Sequence, residues 1–166
     1  STDMELFADL SEKLGLCALK HKAVITTAES CTAGGIACSI TQTAGSSEWF
    51  DRGFVTYSNE SKKDLLGVAD ETLKSHGAVS EETASEMVLG ALTHSRANLA
   101  VAVTGIAGPG GAVPGKPVGT VYLAWCKKGA SPKVERHQFA GDRNAVREAT
   151  IRTALEGLLQ LIEKTA

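Results

Sequence analysis

The chain has 166 residues, 43% of them hydrophobic, which allows one well-buried core and is too short for two ordinary domains. Its formal net charge is -2, from 17 Lys and Arg against 19 Asp and Glu, so it lacks the basic excess that usually accompanies binding to a phosphate backbone. We therefore predict a single domain over residues 1–166 and no nucleic-acid partner.

The sequence also argues against a membrane, a metal and a disulfide framework. No apolar stretch reaches the roughly 20 residues needed to cross a bilayer, and the segment STDMELFADL has no basic part followed by a hydrophobic one. The four cysteines include no CxxC pair, and the four histidines include no HExxH-like pair. We expect a soluble, cytoplasmic protein with reduced thiols and without a metal or another cofactor.

The predicted elements alternate between helices and strands. Apolar side chains recur at spacings of three and four over residues 3–20, which predicts an amphipathic helix that ends near His21 and Lys22. Five short segments rich in β-branched and aromatic residues predict strands at 23–28, 53–58, 99–104, 118–126 and 133–139. Further helices are predicted over 32–43, over 80–95 behind the capping residue Ser80, and over about 142–164 behind Asp142.

The order of these elements indicates an α/β fold with a mixed sheet. The early strands are separated by helices, which is typical of parallel βαβ units. The last two strands are joined only by KKGASPK, which predicts a hairpin at one edge of the sheet.

Four polar or reactive side chains, Glu29 to Thr32, follow the first predicted strand directly. Open α/β sheets bind ligands at the carboxyl ends of their strands, and free N–H groups at the start of a helix suit an anion or a developing oxyanion. Serine and threonine before a helix are nevertheless most often caps. From this stretch alone, a cap by Ser30 or Thr32 is favoured over a nucleophile.

The second strand leads into YSNESK, which places Lys62 about one turn into the next helix. A serine and a lysine from neighbouring strand ends can form a nucleophile and its base if burial lowers the lysine pKa towards neutrality. The alternative is that both lysines of the pair lie on a solvated helix surface. That alternative is favoured for Lys63 and stays open for Lys62.

A glycine-rich stretch, VTGIAGPGGAVPGKPVGT, occupies residues 103–120 after the third strand. Gly110 to Lys116 match the spelling of a P-loop, but Pro117 and a strand follow where that motif needs Ser or Thr and a helix. The stretch is either a loop whose N–H groups line a substrate or phosphate pocket, or a surface connection.

Two arginines, Arg143 and Arg147, stand one turn apart at the start of the last helix. The planar guanidinium group suits recognition of a carboxylate or phosphate. The alternative is an internal salt bridge, to Glu148 or to a helix C-terminus. Of the two, Arg143 is the preferred ligand contact.

Taken in order, TAESCTAGG, GSSEWFDRGFVTYSNESK, HGAVSEE, VTGIAGPGG, KPVGTVYLA and FAGDRNAVR resemble the C-terminal domain of the competence/damage-inducible CinA proteins. The resemblance runs from about Thr27 to Arg147. It implies a three-layer α/β/α sandwich over a mixed five-stranded sheet. Stand-alone versions of this domain are nicotinamide-mononucleotide deamidases, so the resemblance also implies hydrolysis of that carboxamide to nicotinate mononucleotide and ammonia without metal.

The resemblance implies roles for individual residues. Ser30 matches the nucleophile, Lys62 its base, and Tyr57 a residue that orients or relays the proton. N–H groups near Ser30 or Thr104 would hold the oxyanion, and Arg143 with the glycine-rich loop would bind the 5′-phosphate. The remaining expected substrate contacts are Glu29, Cys31, Thr32, Asn59, Thr104, Gly105, Ala107, Gly108 and Arg147.

Ala33 departs from the family pattern, because many relatives read SCTGG, with glycine at this position; its methyl group is tolerable if φ stays negative. We also expect a homo-oligomer of two or more copies. The runner-up function is a non-catalytic nucleotide-binding module linked to DNA uptake or the damage response. A third possibility is an esterase or amidase acting on another small substrate.

Overall fold

The computed structural model describes residues 6–164. The chain runs through α1 (Ala8–His21), β1 (Ile25–Glu29), α2 (Gly35–Ile40), a short 3₁₀ helix (Ser46–Glu48), β2 (Phe50–Val55), α3 (Asn59–Leu66), α4 (Asp70–His76), α5 (Glu81–Thr93), β3 (Leu99–Gly105), β4 (Thr120–Lys127), β5 (Lys133–Gln138) and α6 (Arg143–Lys164). Residues 3–5 of the first predicted helix lie outside the described residues.

The five strands form one mixed sheet in the order β2-β1-β3-β4-β5. β1 pairs in parallel with β2 on one side and with β3 on the other. β4 is antiparallel to both β3 and β5. The predicted parallel units and the predicted hairpin are therefore confirmed.

Helices cover both faces of the sheet and give two hydrophobic cores. α1, α2 and α6 pack on one face, and α3, α4 and α5 pack on the other. The middle strand β3 is buried along Leu99–Thr104 because both layers cover it. This arrangement confirms the three-layer α/β/α sandwich.

The fifth helix, α5, forms as its sequence predicts. The Ser80 side chain accepts a hydrogen bond from the N–H of Thr83, which caps the first turn. Its apolar face is buried through Ala84, Met87 and Val88. α4 was not predicted, and it begins after a break at Gly67, whose φ of 70° ends α3.

The helix after β1 differs from the prediction. α2 begins at Gly35 rather than at residue 32, because Ala33 and Gly34 have φ values of 48° and 98°. Gly34 is the N-cap residue, and no N-cap side chain accepts a hydrogen bond from the first turn of α2. The expected cap by Ser30 or Thr32 is therefore wrong. At Ala33 the φ is positive, so the condition under which its methyl group is tolerable without strain is not met.

Two smaller observations complete the fold. The glycine-rich loop leads from β3 into β4, which begins at Thr120, so Gly110 to Lys116 do not precede a helix and the P-loop is absent. Within residues 6–164, none of the helices combines the length and apolar character that crossing a membrane requires.

Candidate active site

Ser30 lies immediately after β1, where the parallel strands β2, β1 and β3 end together. Its backbone N–H donates to the carbonyl of Val103 at 3.1 Å, and the carbonyl of Glu29 accepts from the N–H of Thr56 at 2.8 Å. Both neighbouring strands therefore fix the backbone at the serine. Its side chain is 8% exposed.

Lys62 reaches Ser30 from the neighbouring strand end. The first turn of α3 is fixed by a capping box between Ser58 and Ser61, which places Lys62 one turn into the helix with 1% exposure. Its Nζ donates to Ser30 Oγ at 3.1 Å and to the carbonyl of Thr56 at 2.8 Å, with a longer contact of 3.4 Å to the carbonyl of Tyr57. The solvated alternative for Lys62 is therefore wrong.

The environment of Lys62 favours its neutral form. Burial lowers the pKa of its ammonium from 10.5 to about 8, and the nearby Cys31 opposes this shift only in part. Within residues 6–164, no carboxylate forms an ion pair with it. Lys63, by contrast, pairs on the surface with Glu60 and Asp70, as its solvated alternative predicted.

Glu29 is buried at 1% exposure and faces α2 rather than a ligand. Its Oε1 accepts from Thr32 Oγ1 at 2.6 Å and from the N–H of Ile36 at 2.8 Å. Its Oε2 accepts from the N–H of Ala37 at 3.0 Å and from Thr27 Oγ1 at 3.4 Å. The N–H groups at the start of α2, which we expected to be open to an anion, are therefore occupied by the protein's own carboxylate.

Cys31 and Thr32 are also buried rather than presented to a ligand. Burial raises the pKa of the Cys31 thiol to about 11, so it is a poor nucleophile at neutral pH. Thr32 is 0% exposed and its hydroxyl is used by Glu29. The side chains of Glu29 and Thr32 bond to each other within the serine turn, and the predicted substrate contacts of Glu29, Cys31 and Thr32 stay predictions.

Tyr57 and Arg143 meet above the glycine-rich loop. Arg143 donates to the carbonyl of Gly108 at 2.7 Å and to the Tyr57 hydroxyl at 3.1 Å. Tyr57 is 59% exposed, and it accepts a hydrogen bond from Lys62 through its backbone carbonyl rather than its hydroxyl. Lys62 contacts Ser30 directly, whereas the Tyr57 hydroxyl accepts a hydrogen bond from Arg143 and contacts neither Lys62 nor Ser30 through any hydrogen bond among residues 6–164.

An open cavity of about 550 Å³ lies between the glycine-rich loop and the start of α6. Ala107 and Arg143, two of the predicted site residues, are among the residues that line it, whereas Ser30 is not. Small-molecule sites commonly have volumes of about 300–1,000 Å³. The cavity therefore has room for a ligand held by Arg143.

The structure separates the two arginines. Arg147 donates to the carbonyl of Thr32 at 3.3 Å and lines a different cavity of about 220 Å³ between α1, α2 and α6. Neither Arg143 nor Arg147 forms an ion pair within residues 6–164, so the alternative of a salt bridge to Glu148 is wrong.

The other predicted contacts occupy varied positions. Asn59 is exposed at the start of α3. The hydroxyl of Thr104, which is 1% exposed, donates to the carbonyl of Ala78 at 2.8 Å. Gly105 ends β3 opposite Val121, where an added Cβ would crowd the valine side chain. The N–H of Ser30 is bonded to Val103, so it is not a free oxyanion donor as expected.

The arrangement has the parts of an acyl-transfer site. A serine hydroxyl lies within hydrogen-bond reach of a lysine that is half neutral near pH 8 and can accept its proton. Within residues 6–164, no group of three or more His, Cys, Asp or Glu side chains is placed to hold a metal ion. The Thr56 carbonyl, which accepts from Lys62, was not predicted; the position of Thr56 just after β2 is the signal that could have indicated it.

The chain is similar to known proteins over almost its whole length. A model of the CinA C-terminal domain matches residues 7–162. The nicotinamide-nucleotide amidohydrolase PncC of Escherichia coli (strain K12) is 51% identical over 159 residues, which are 96% of this chain and 96% of that protein. The protein of the same name from Pseudomonas putida is 52% identical over 158 residues, 95% of this chain and 98% of its own length.

A solved structure gives the same answer for the fold. The competence/damage inducible protein CihA from Agrobacterium tumefaciens superposes with a TM-score of 0.90 at 48% sequence identity, over 97% of this chain and 96% of that one. Sequence and fold agree along the full domain, and the chain belongs to the CinA C-terminal domain family.

Proposed function

We propose that this protein hydrolyses the carboxamide of nicotinamide mononucleotide to nicotinate mononucleotide and ammonia. The similarity to two proteins named nicotinamide-nucleotide amidohydrolase supports the substrate. The observation that carries the reaction class is the 3.1 Å hydrogen bond between Lys62 Nζ and Ser30 Oγ in a buried site. A module that only bound nucleotides would not need a desolvated lysine beside a serine hydroxyl.

In the proposed mechanism, neutral Lys62 takes the hydroxyl proton while Ser30 Oγ bonds to the carboxamide carbon. The tetrahedral intermediate then collapses, the C–N bond breaks, and Lys62 returns the proton to the departing nitrogen as ammonia leaves. Water, deprotonated by the same lysine, attacks the acyl-serine ester. Release of nicotinate mononucleotide restores the Ser30 hydroxyl and the neutral lysine.

The surroundings supply the other groups that this chemistry needs. The backbone N–H groups of Thr32 and Ala107 have no protein acceptor within residues 6–164, so they are candidate oxyanion donors. Arg143 lines the open cavity, and its guanidinium can bind two phosphate oxygens together. We assign it to the 5′-phosphate, and we assign Tyr57, which shares a hydrogen bond with it, to holding the arginine in place.

The direct test is release of ammonia and nicotinate mononucleotide from nicotinamide mononucleotide by the purified protein. We expect Ser30→Ala to lower kcat by about 10³-fold or more while mononucleotide binding persists. Lys62→Arg should be nearly inactive because arginine cannot be deprotonated at working pH, and Lys63→Arg on the exposed neighbour is the matched control with normal activity. An active Lys62→Arg protein would exclude lysine as the base.

Arg143→Ala tests the phosphate assignment. The change should lower kcat/KM for nicotinamide mononucleotide by about ten- to a hundredfold, the value of a charge-assisted contact, and affect the phosphate-free riboside far less. Arg147→Ala, at a side chain that lines a different cavity, is the matched control. Equal losses on both substrates would mean that Arg143 holds the loop through Gly108 instead.

Two further measurements complete the test. Activity should survive exhaustive chelation. A loss of activity with a chelator that a divalent ion restores would contradict the metal-free mechanism. The predicted homo-oligomer stays a proposal, which light scattering coupled to size-exclusion chromatography can test. Binding of nicotinamide mononucleotide without ammonia release would favour the non-catalytic module instead.

A further inference from the structure

We propose that Glu29 is a positioning residue, whose carboxylate clamps the turn between β1 and α2 and thereby holds Ser30 Oγ within reach of Lys62. The inference rests on the proposed function for its kinetic readout. It assigns Glu29 no contact with substrate, since the side chain is 1% exposed and each of its oxygens already accepts two hydrogen bonds.

Backbone hydrogen bonds to Val103 and Thr56 fix the strand end of the turn, and the Glu29 carboxylate holds its helix end. α2 has six residues and lacks a conventional side-chain cap, and Ala33 has a φ of 48°, which is unfavourable for a residue with a Cβ. A single carboxylate bonds to the N–H groups of both Ile36 and Ala37 at 2.8 and 3.0 Å. Because these donors lie on the far side of the turn, Glu29 ties the end of β1 to the start of α2.

The clamp is adjacent to the nucleophile on both sides. Glu29 precedes Ser30 in the chain, and Thr32, two residues after the serine, donates its hydroxyl to Glu29 Oε1 at 2.6 Å. Loss of the carboxylate therefore frees the backbone that follows the serine to shift. A displacement of about 1 Å at a reacting group can cost about a hundredfold in rate.

Glu29 acts through position rather than through charge on the base. Burial is the cause of the lowered pKa of Lys62, and the nearby Cys31 acts in the opposite direction. Replacing the Glu29 carboxylate by an amide should therefore leave the pH at which activity rises unchanged. This separates a positioning role from an electrostatic one.

The test is Glu29→Gln. One end of the amide is an NH₂ group, so it must face either the Ile36 or the Ala37 N–H, and two donors then oppose each other. We expect kcat on nicotinamide mononucleotide to fall about 10- to 100-fold, with KM and the pH profile unchanged. Wild-type kcat in a folded Glu29→Gln protein would overturn the proposal, and so would a shifted pH profile.

The matched control is Glu86→Gln. Glu86 also accepts from a backbone N–H, that of Ala69 at 2.8 Å, and from a threonine hydroxyl, that of Thr72 at 2.5 Å, at the start of α4. The Glu86→Gln substitution should lower the melting temperature without lowering kcat. If Glu29→Gln and Glu86→Gln lost the same amount of kcat well below both melting temperatures, Glu29 would be a general stabilising residue and the proposal would fail.

Thr32→Val provides the test if Glu29→Gln fails to fold. It keeps the side-chain shape and removes one donor to Oε1, so kcat should fall about threefold to tenfold with unchanged KM; wild-type kcat would overturn the proposal. The rate at which a fluorophosphonate modifies Ser30 gives a readout independent of substrate. If the wild type released no ammonia, the proposed function would fail, while slower modification in the Glu29 and Thr32 variants would still support the clamp.

Discussion

The lowered pKa of Lys62 predicts how the reaction depends on pH. With a pKa of about 8, the neutral lysine makes up about 9% of the protein at pH 7, half at pH 8 and about 91% at pH 9. The value of kcat/KM for nicotinamide mononucleotide should therefore rise about tenfold from pH 7 to pH 9 and then level off. An ordinary lysine with a pKa of 10.5 would give about a hundredfold rise over the same interval without a plateau.

Initial rates of ammonia release at low substrate, between pH 6 and pH 9.5, measure this directly. The Lys63→Arg variant is the control for titration of exposed groups, and its profile should coincide with that of the wild type. A profile that still climbs tenfold per unit above pH 9 would refute the reasoning, because it would show that burial does not lower the lysine pKa in the working enzyme.

The same shift predicts a change in stability with pH. The folded-state pKa of Lys62 lies near 8 and the unfolded value near 10.5, so the unfolded chain binds more protons between these pH values. The free energy of unfolding should rise with pH from about 8 to about 10.5, by about 3 kcal/mol from this group, and the gain is lost again as pH falls from 10.5 to 8. Lys62→Met should remove this rise of the unfolding free energy with pH, as measured by urea titrations at several pH values. An unchanged rise would show that other groups cause it.

Three more predictions concern individual positions. Ala33→Gly should raise the free energy of unfolding by about 0.5–1 kcal/mol because glycine relieves the φ of 48°, and a loss of stability in urea unfolding would contradict this. At pH 8 a disulfide reagent should modify the exposed Cys38 quickly and Cys31, whose pKa is raised to about 11, very slowly; rapid labelling of both would refute the buried thiol. Gly90→Ala should lower the free energy of unfolding by about 1–3 kcal/mol and lower kcat, because the added Cβ would press on the Leu66 carbonyl and push α5 away from α3. Normal kcat and stability would show that the two helices can separate without cost.

The sheet and the strand-end positions of the site were predictable because they depend on local patterns. Short β-branched runs separated by helices indicated parallel strands, and the brief KKGASPK connection indicated the hairpin. The end of a parallel strand is where ligands bind, so Ser30 and Lys62 could be expected to meet. Their contact at 3.1 Å follows from adjacent strands β1 and β2 and from the first turn of α3.

The partners of buried polar groups were not predictable in this way. Periodicity says that a helix follows β1, but it does not say which acceptor will satisfy the first N–H groups of that helix. A serine or threonine at the N-cap is the common acceptor for these N–H groups. Here the acceptor is the carboxylate of Glu29, at the end of β1. The separation of Arg147 from Arg143 has the same origin, because their guanidinium groups donate to carbonyls in different loops, those of Thr32 and Gly108.

The position of β2 has a consequence for how activity is lost on heating. Within residues 6–164, β2 is an edge strand that pairs only with β1; all six of its residues are half-buried or exposed, whereas β1 and nearly all of β3 are buried. Edge elements with few buried contacts open at a lower free energy than the core. The Thr56 carbonyl and α3 follow β2 directly, so such local opening withdraws Lys62 while Ser30 stays on the central strands. Thermal inactivation should therefore precede global unfolding, with the β2 amides exchanging their hydrogens first.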